Sequence, residues 1–297
     1  MKRLLILRDK TGETKLINYL KKTLSPQAEV DQRNYPDLTF EIRQNKVKAK
    51  IANEEITNYD LVWLRTVGRR YIPLAQALAS FLESKKIPYF DTVWGRGGRT
   101  NKLSDTVRLA LAGLPVPDSL FYWRSRILEN KQLIVKKLDL PLVAKNIWKN
   151  RGVGVFLLKN PNDFQKILEK VKPEDQFLFQ RFHPNDGDYR VVVFGGKVWA
   201  WEKRSRIKDE FRNNAVLGGK EEFFPPAKIP SKMAEIAIEA AKVLHLQIAG
   251  VDILIDKNTS KMMILEVNRS PCFTTDFKIS PEIPAVAAFL KSKIEKL

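Results

Sequence analysis

The chain has 297 residues, 44% hydrophobic and 29% charged, a composition that fits a folded protein of two or three compact units. Its apolar runs, such as residues 191–194, fall far short of the ~20 residues a membrane-spanning helix needs. Lysine and arginine number 52 against 34 acidic residues, a net charge of +18, and residues 1–150 hold 28 against 15, so +13 lies in the first half.

That balance fits a solubilising surface or an acidic partner such as a nucleotide, an acidic peptide or RNA. The lysines are dispersed and form no basic run, which argues against a nucleic-acid arm. Residues 4–7 are apolar but are followed at once by Arg8-Asp9-Lys10, too short for a signal-peptide core. The single cysteine, Cys272, excludes an internal disulfide, and a reducing cytoplasm is the expected compartment.

In chain order, residues 4–7 predict a buried strand closed by Asp9-Lys10-Thr11-Gly12, and residues 14–23 a helix. Residues 40–56 alternate apolar and polar, as a half-buried hairpin does. A buried strand at 60–65, a helix at 71–84 and a strand at 87–91 complete the βαβ pattern of a parallel sheet. The Gly-rich segment 94–101 is a natural linker, and the helix after it, 102–112, is ended by Gly113, Pro115 and Pro117. Residues 118–175 run strand, helix, strand, Gly loop, strand, helix. Hairpins follow: a strand at 176–182, then strands at 189–194 and 197–201 flanking Gly195-Gly196, a two-residue turn signal. A helix at 231–244 precedes strands at 249–255 and 262–268. The expected class is mixed α/β (α+β), divided into units 1–95, 96–175 and 176–297.

The last hairpin is the most informative. With its turn near Thr259, Asp252 lies opposite Glu266, and the strand period of two puts Asn268 on the same face. Directly opposed like charges destabilise a strand pair. Two carboxylates and an amide among Val, Ile and Leu therefore call for a cation. Oxygen donors without His or Cys suit Mg²⁺, with Mn²⁺ accepted by the same set, rather than zinc. A solvent-facing amphipathic hairpin is the bland alternative.

Upstream, the apolar strand 141–145 ends in Lys145 and runs into Asn150-Arg151-Gly152-Val153-Gly154. Such a loop can lay backbone N–H groups on phosphates while an ammonium supplies charge. It is neither a Walker motif nor a dinucleotide fingerprint, and alone it is more often a hairpin turn. Combined with the acidic hairpin, it implies MgATP. The edge where the strand 176–182 runs into the polar turn 183–188 can offer backbone groups to adenine, with Asp188 available for ribose.

Val143-Ala144-Lys145, Arg151-Gly152-Val153-Gly154-Val155, Asp188-Tyr189-Arg190, Phe211-Arg212-Asn213-Asn214, Gly250-Val251-Asp252-Ile253-Leu254 and Glu266-Val267-Asn268 come in one order. This ordered set, spanning about residues 95–275, resembles the RimK-like ATP-grasp ligases, which add glutamate to a ribosomal protein or to related carboxylates. The resemblance implies an ATP-grasp fold behind an N-terminal pre-ATP-grasp βαβ domain. It makes Lys102 and Lys145 the phosphate lysines, Arg151, Gly152 and Gly154 part of a loop closing over them, and Gln180, Arg181 and Phe182 the adenine hinge. Asp188 matches a nucleotide contact, as do Arg212, Asn213 and Asn214. Asp252, Glu266 and Asn268 match the magnesium ligands, and Arg190 and Arg212 stand as catalytic arginines. The implied chemistry is phosphoryl transfer from ATP to a carboxylate, then attack by an amine on the acyl phosphate, with no protein nucleophile.

The chain departs from the family pattern at Arg181, where an acidic residue is usual, and at Arg269-Ser270-Pro271-Cys272-Phe273, where small residues are usual. The second departure borders the substrate side and leaves the added amino acid open. Arg65, Arg69, Arg70, Arg96, Arg99, Arg204 and Arg206 suit an anionic substrate. The expected partners are ATP, an anionic carboxylate or acidic peptide or protein, and an amino acid or other amine, with no membrane or nucleic acid. A peptide macrocyclase of the same superfamily is a close variant. A non-enzymatic basic protein docking on RNA or the ribosome would not need these residues in register.

Overall fold

The computed structural model describes residues 1–9, 14–97, 101–149, 152–205 and 220–297. Residues 1–97 build the parallel sheet that the βαβ pattern predicts. In β1 (Lys2–Arg8), Leu4 to Leu7 are fully buried because helices cover both faces of the sheet. The helix α1 (Lys15–Leu24) starts at Thr14, whose hydroxyl accepts the Ile17 N–H at 3.4 Å. It leads to β2 (Ala28–Asn34), a strand without a clear sequence signal. A small antiparallel sheet follows: β3 (Leu38–Arg43), β4 (Lys46–Ile51) and β5 (Glu54–Glu55). Its first turn takes Gln44 and Asn45 through φ of 50° and 60°, the two-residue geometry that matches strand twist. Then come β6 (Leu61–Leu64), α2 (Ile72–Ser84) and β7 (Tyr89–Phe90), giving the parallel order β2-β1-β6-β7.

The helix α3 (Lys102–Leu111) is capped by Asn101, whose side chain accepts the Ser104 N–H. Beyond it, β8 (Ser119–Phe121), α4 (Ile127–Leu138), β9 (Leu142–Asn146), β10 (Val155–Leu158), α5 (Asp163–Lys170) and β11 (Phe177–Arg181) form a second unit. Its antiparallel sheet has the order β10-β9-β11-β8 and a core of its own, centred on Ile134, Leu142, Phe164, Phe177 and Phe179.

The third sheet runs β14-β13-β12-β15-β16, all antiparallel, from β12 (Asp188–Phe194), β13 (Lys197–Arg204), β14 (Glu221–Phe224), β15 (Ile248–Ile255) and β16 (Met262–Asn268). The turn after β12 takes Gly195 and Gly196 through φ of 53° and 77°, where glycine carries no steric cost. Helices α6 (Ser231–Val243) and α7 (Glu282–Ile294) cover opposite faces. Val191 and Val193 face the α6 side, and Val192 and Phe194 the α7 side. Both apolar layers continue into the N-terminal sheet, Leu5 and Leu7 joining one and Leu4 and Ile6 the other. The first and third units thus share their cores. Among the described residues no helix is long and apolar enough to cross a membrane.

Candidate active site

The β15–β16 ladder pairs Asp252 with Glu266 and Gly250 with Asn268, with a bulge just after Asp252. What answers the Asp252 charge differs from the expectation of a bare carboxylate pair. Arg190, its neighbour across the β12–β15 ladder, binds it with both arms of the guanidinium, Nε to Oδ1 at 2.9 Å and Nη2 to Oδ2 at 3.0 Å. Arg204 Nη2 lies 3.0 Å from the same carboxylate, and the Asn268 amide donates to it at 3.0 Å. Burial alone would raise this carboxyl, but Arg190 and Arg204 outweigh it and hold Asp252 down at about 2.

Asp188, matched by the family pattern to the nucleotide, accepts Arg204 Nε at 2.9 Å and Nη2 at 2.6 Å, so both oxygens are engaged inside the protein. Burial and the nearby Asp252 push it upward against that pairing. Arg204 is therefore an internal counter-ion of two aspartates, a correction to its assignment among substrate-facing arginines. Gly250 lets the Pro271 side chain pack closely on β15. A Cβ there would stand 3.0 Å from the Pro271 side chain and 3.6 Å from Arg190 Nε.

Glu266 is engaged from the opposite wall. Lys102, the first residue of α3, places its ammonium 2.9 Å from Glu266 and 2.6 Å from the Lys149 carbonyl. Lys145, next to last in β9, donates to the Leu265 carbonyl at 3.4 Å. Desolvation lowers the Lys145 ammonium to about 8, with Glu266 opposing and Lys102 reinforcing the shift. Lys102 at the start of α3 and Lys145 on β9 thus face the acidic hairpin across one cleft. The hydrogen bond from Ile264 N–H to Pro115 O, 2.8 Å, ties the two walls together.

The glycine loop leaves from the same strand. Gly152 and Gly154 adopt φ of 74° and 72°, and a Cβ on Gly154 would meet Asn146 Cβ at 2.8 Å. The Asn146 side chain holds the loop base by accepting from Trp148 and Lys149 N–H and donating to Asp175. Arg151, Arg212, Asn213 and Asn214 lie outside the described residues, as do Arg99 and Arg206.

At the hinge, Gln180 is buried and donates to Ser119 at 2.9 Å, while the Arg181 side chain turns outward to Asp118, Asp139 and the Lys137 carbonyl. Phe182 is half-buried where the chain leaves the sheet. His183 binds Asp256 through Nδ1 at 2.7 Å and fixes the hinge to the β15–β16 turn. Arg69 lies over the Trp148 ring at 4.7 Å and Arg70 over Tyr71 at 4.6 Å. Arg269 pairs with Asp105 of α3 at 2.7 Å.

Sequence reasoning missed Glu202 and Glu282. Both are buried, each with one oxygen lacking a hydrogen-bond partner. Desolvation and their mutual repulsion raise Glu202 to about 8, and desolvation raises Glu282 to about 7. Their only sequence signal is an acidic residue in an apolar strand and one at a helix start. A groove of 740 Å³ beside Trp123, Leu128, Trp148 and Leu168 lies on the central unit, away from the paired carboxylates.

The RimK-like ATP-grasp domain matches residues 99–286. A probable alpha-L-glutamate ligase of Syntrophotalea carbinolica is 29% identical over 221 residues, 73% of this chain and 71% of that protein. The fold is similar to that of the ATP-grasp ligase PsnB, solved with a phosphomimetic variant of its minimal precursor, Mg and ADP: TM-score 0.72 at 16% identity, over 98% of this chain and 99% of the other. It is also similar to the macrocyclase MdnC from Microcystis aeruginosa, bound with its precursor peptide MdnA: TM-score 0.70 at 12% identity, over 99% and 100%. With the family domain covering well over half its length, the chain belongs to the RimK-like ATP-grasp family of ligases.

Proposed function

We propose that the chain uses MgATP to activate a carboxylate as an acyl phosphate and joins it to an amine, adding an amino acid such as glutamate to an acidic peptide, protein or small carboxylate. The observation that carries this is the single cleft in which Lys102 and Lys145 oppose Asp252, Glu266 and Asn268. Asp252, Glu266 and Asn268 present hard oxygen donors at a strand end, the donor set that suits Mg²⁺ or Mn²⁺. Asn268 donates its NH₂ to Asp252, which leaves its carbonyl oxygen for a metal. When bound, MgATP supplies the phosphoryl group and the charge neutralisation that transfer needs.

The chain's own residues do the positioning. Lys145 and Lys102 offer ammonium groups to phosphate oxygens, and Lys102 also holds Glu266 in place. The left-handed glycines let the 152–154 backbone approach a phosphate closely. Arg190 and Arg204 fix the Asp252 carboxylate in one rotamer, so the metal site is organised before it is filled.

A peptide macrocyclase is the second reading, favoured by the fold likeness to MdnC across nearly the whole chain. Product masses separate the two. Joining a free amino acid adds its residue mass to the acceptor, whereas cyclisation removes one water. A screen of amino acids and acidic peptides with MgATP, read by mass spectrometry and ADP release, is the test. ADP formation that needs neither a carboxylate nor an amine would contradict both.

A further inference from the structure

In an open parallel sheet, ligands bind outside the carboxyl ends of the strands where the strand order reverses. In the order β2-β1-β6-β7 the chain winds outward in opposite directions from β1 and β6, so that point lies between these two strands. Leu7 pairs with Leu64, and the next residues, Arg8 and Arg65, stand side by side at the carboxyl ends. Neighbouring strands are about 4.8 Å apart, so two guanidinium groups share this crevice.

Arg65 is 7% exposed, yet among the described residues no carboxylate lies within salt-bridge distance of Arg65 or Arg8. The buried Arg65 Nη1 and Arg8 Nε have no hydrogen-bond partner. Nη2 of Arg65 donates to the Pro271 carbonyl at 3.1 Å, while the aromatic faces of Trp63 and Phe273 flank the guanidinium at 4.8 and 5.0 Å. Asp91 feels the Arg65 charge at longer range, but its Oδ1 accepts the Gln247 and Ile248 N–H groups. A buried arginine without an anion is costly, and a carboxylate matches its fork.

The crevice opens toward the ligation centre. Thr66 N–H donates to Ser270 Oγ at 2.8 Å, so the loop that begins directly after Asn268 lies against it. Cys272, the residue after the Pro271 carbonyl that Arg65 binds, is exposed to solvent. We propose that Arg8 and Arg65 form a carboxylate-binding site that holds a non-reacting carboxylate of the substrates beside the ligation centre. The assignment to a substrate rests on the ligase reading above. Two sources carry this chemistry: the α-carboxylate of an amino-acid co-substrate, and a second carboxylate of an acidic acceptor.

The test uses the full chain and glutarate, a dicarboxylate without an amine, with glutaramide as its uncharged counterpart. Calorimetry is expected to show glutarate binding, no glutaramide binding, and a loss of about 10- to 150-fold for glutarate in Arg65→Met and Arg8→Met, the range of one charge-assisted hydrogen bond. Arg65→Lys should recover part of the loss. Equal glutarate affinity in all four proteins, or glutaramide binding as tightly as glutarate, overturns the site. Arg8→Met keeps the test intact if Arg65→Met does not fold.

Steady-state arms then identify the source. If the α-carboxylate of the amino acid sits here, Arg65→Met raises the KM of the amino acid but not of its α-amide. If the acceptor supplies it, the KM of the diacid rises and that of its mono-amide does not. A drop in kcat with every substrate KM unchanged would mark Arg65 as structural and count against the proposal. Arg65-dependent glutarate binding without any ligation would instead sink the ligase reading and leave the anion site standing.

Discussion

Two charged regions of this chain, both buried and both at strand ends, are built on opposite plans. At the β15–β16 end each of these carboxylates is answered within the protein: Asp252 by Arg190, Arg204 and Asn268, Asp188 by Arg204, and Glu266 by Lys102. At the β1–β6 end Arg65 and Arg8 have no counter-ion among the described residues. The first region is a finished scaffold that orients its carboxylates. The second is where the proposed substrate carboxylate would supply the opposite charge. The contrast teaches that stability and binding effects should separate between them.

The largest effect is expected at Asp252. Considered as a like-charge pair with Glu266, Asp252→Asn would relieve repulsion and leave the fold unharmed. The structure reverses that sign, because the carboxylate balances two buried guanidinium groups. Asp252→Asn should lose ~3–5 kcal/mol of unfolding free energy, the cost of orphaning a buried charge, together with ATP turnover. Glu266→Gln should lose turnover with little change in stability, since its pair with Lys102 is partly exposed. Denaturant unfolding of both variants checks this, and equal destabilisation would erase the distinction.

Next in size is Lys145. Lys145→Ala should weaken ATP binding by ~1.5–3 kcal/mol in calorimetry. Its lowered pKa, about 8, fixes the pH dependence. The free enzyme loses the ammonium as pH rises through about 8, so the Kd for ATP should climb by up to about tenfold per pH unit above that point. Lys145→Arg should flatten the profile. The stability term has the opposite sense: an ammonium lowered by burial is a penalty, full below about 8 and relieved as pH rises toward the unfolded value near 10.5. A Kd that stays flat through pH 9 would remove Lys145 from the phosphates.

How much of this was legible depended on range. The Gly195-Gly196 turn, the helix at 102–111 and the Asp252–Glu266 register follow from local pattern, because strand period and turn chemistry act over a few residues. Arg204 was visible only as one basic residue among many, since its partners lie 16 and 48 positions away in sequence on other strands. Glu202, Glu282 and Asp91 gave no signal for a similar reason: their character comes from desolvation by distant elements. Strands β2 and β14 also went unread: β2 is short in apolar residues, β14 has only four residues with no alternation, and each is held by its neighbour's ladder.

The smallest stability effect belongs to the unanswered charge. Arg65→Met should unfold within ~1 kcal/mol of the wild type, because removing an unpaired buried charge offsets the loss of its bond to Pro271. Salt sharpens the same comparison. An acidic acceptor attracted by the basic N-terminal half should show a KM that rises with ionic strength, as charges beyond ~8 Å are screened at physiological salt. ATP, held by the closed network opposite, should respond less. A flat acceptor KM from low to high salt would assign the +18 charge another purpose.

The central claim, that a carboxylate is activated by phosphoryl transfer in the cleft between Lys145 and Glu266, has one direct test. An acceptor labelled with oxygen-18 in its carboxylate is incubated with the enzyme, MgATP and the amine that the substrate screen selects. The account predicts one labelled oxygen in each phosphate released, appearing in step with the amide product and absent in Glu266→Gln. Phosphate free of label alongside normal amide formation would contradict it.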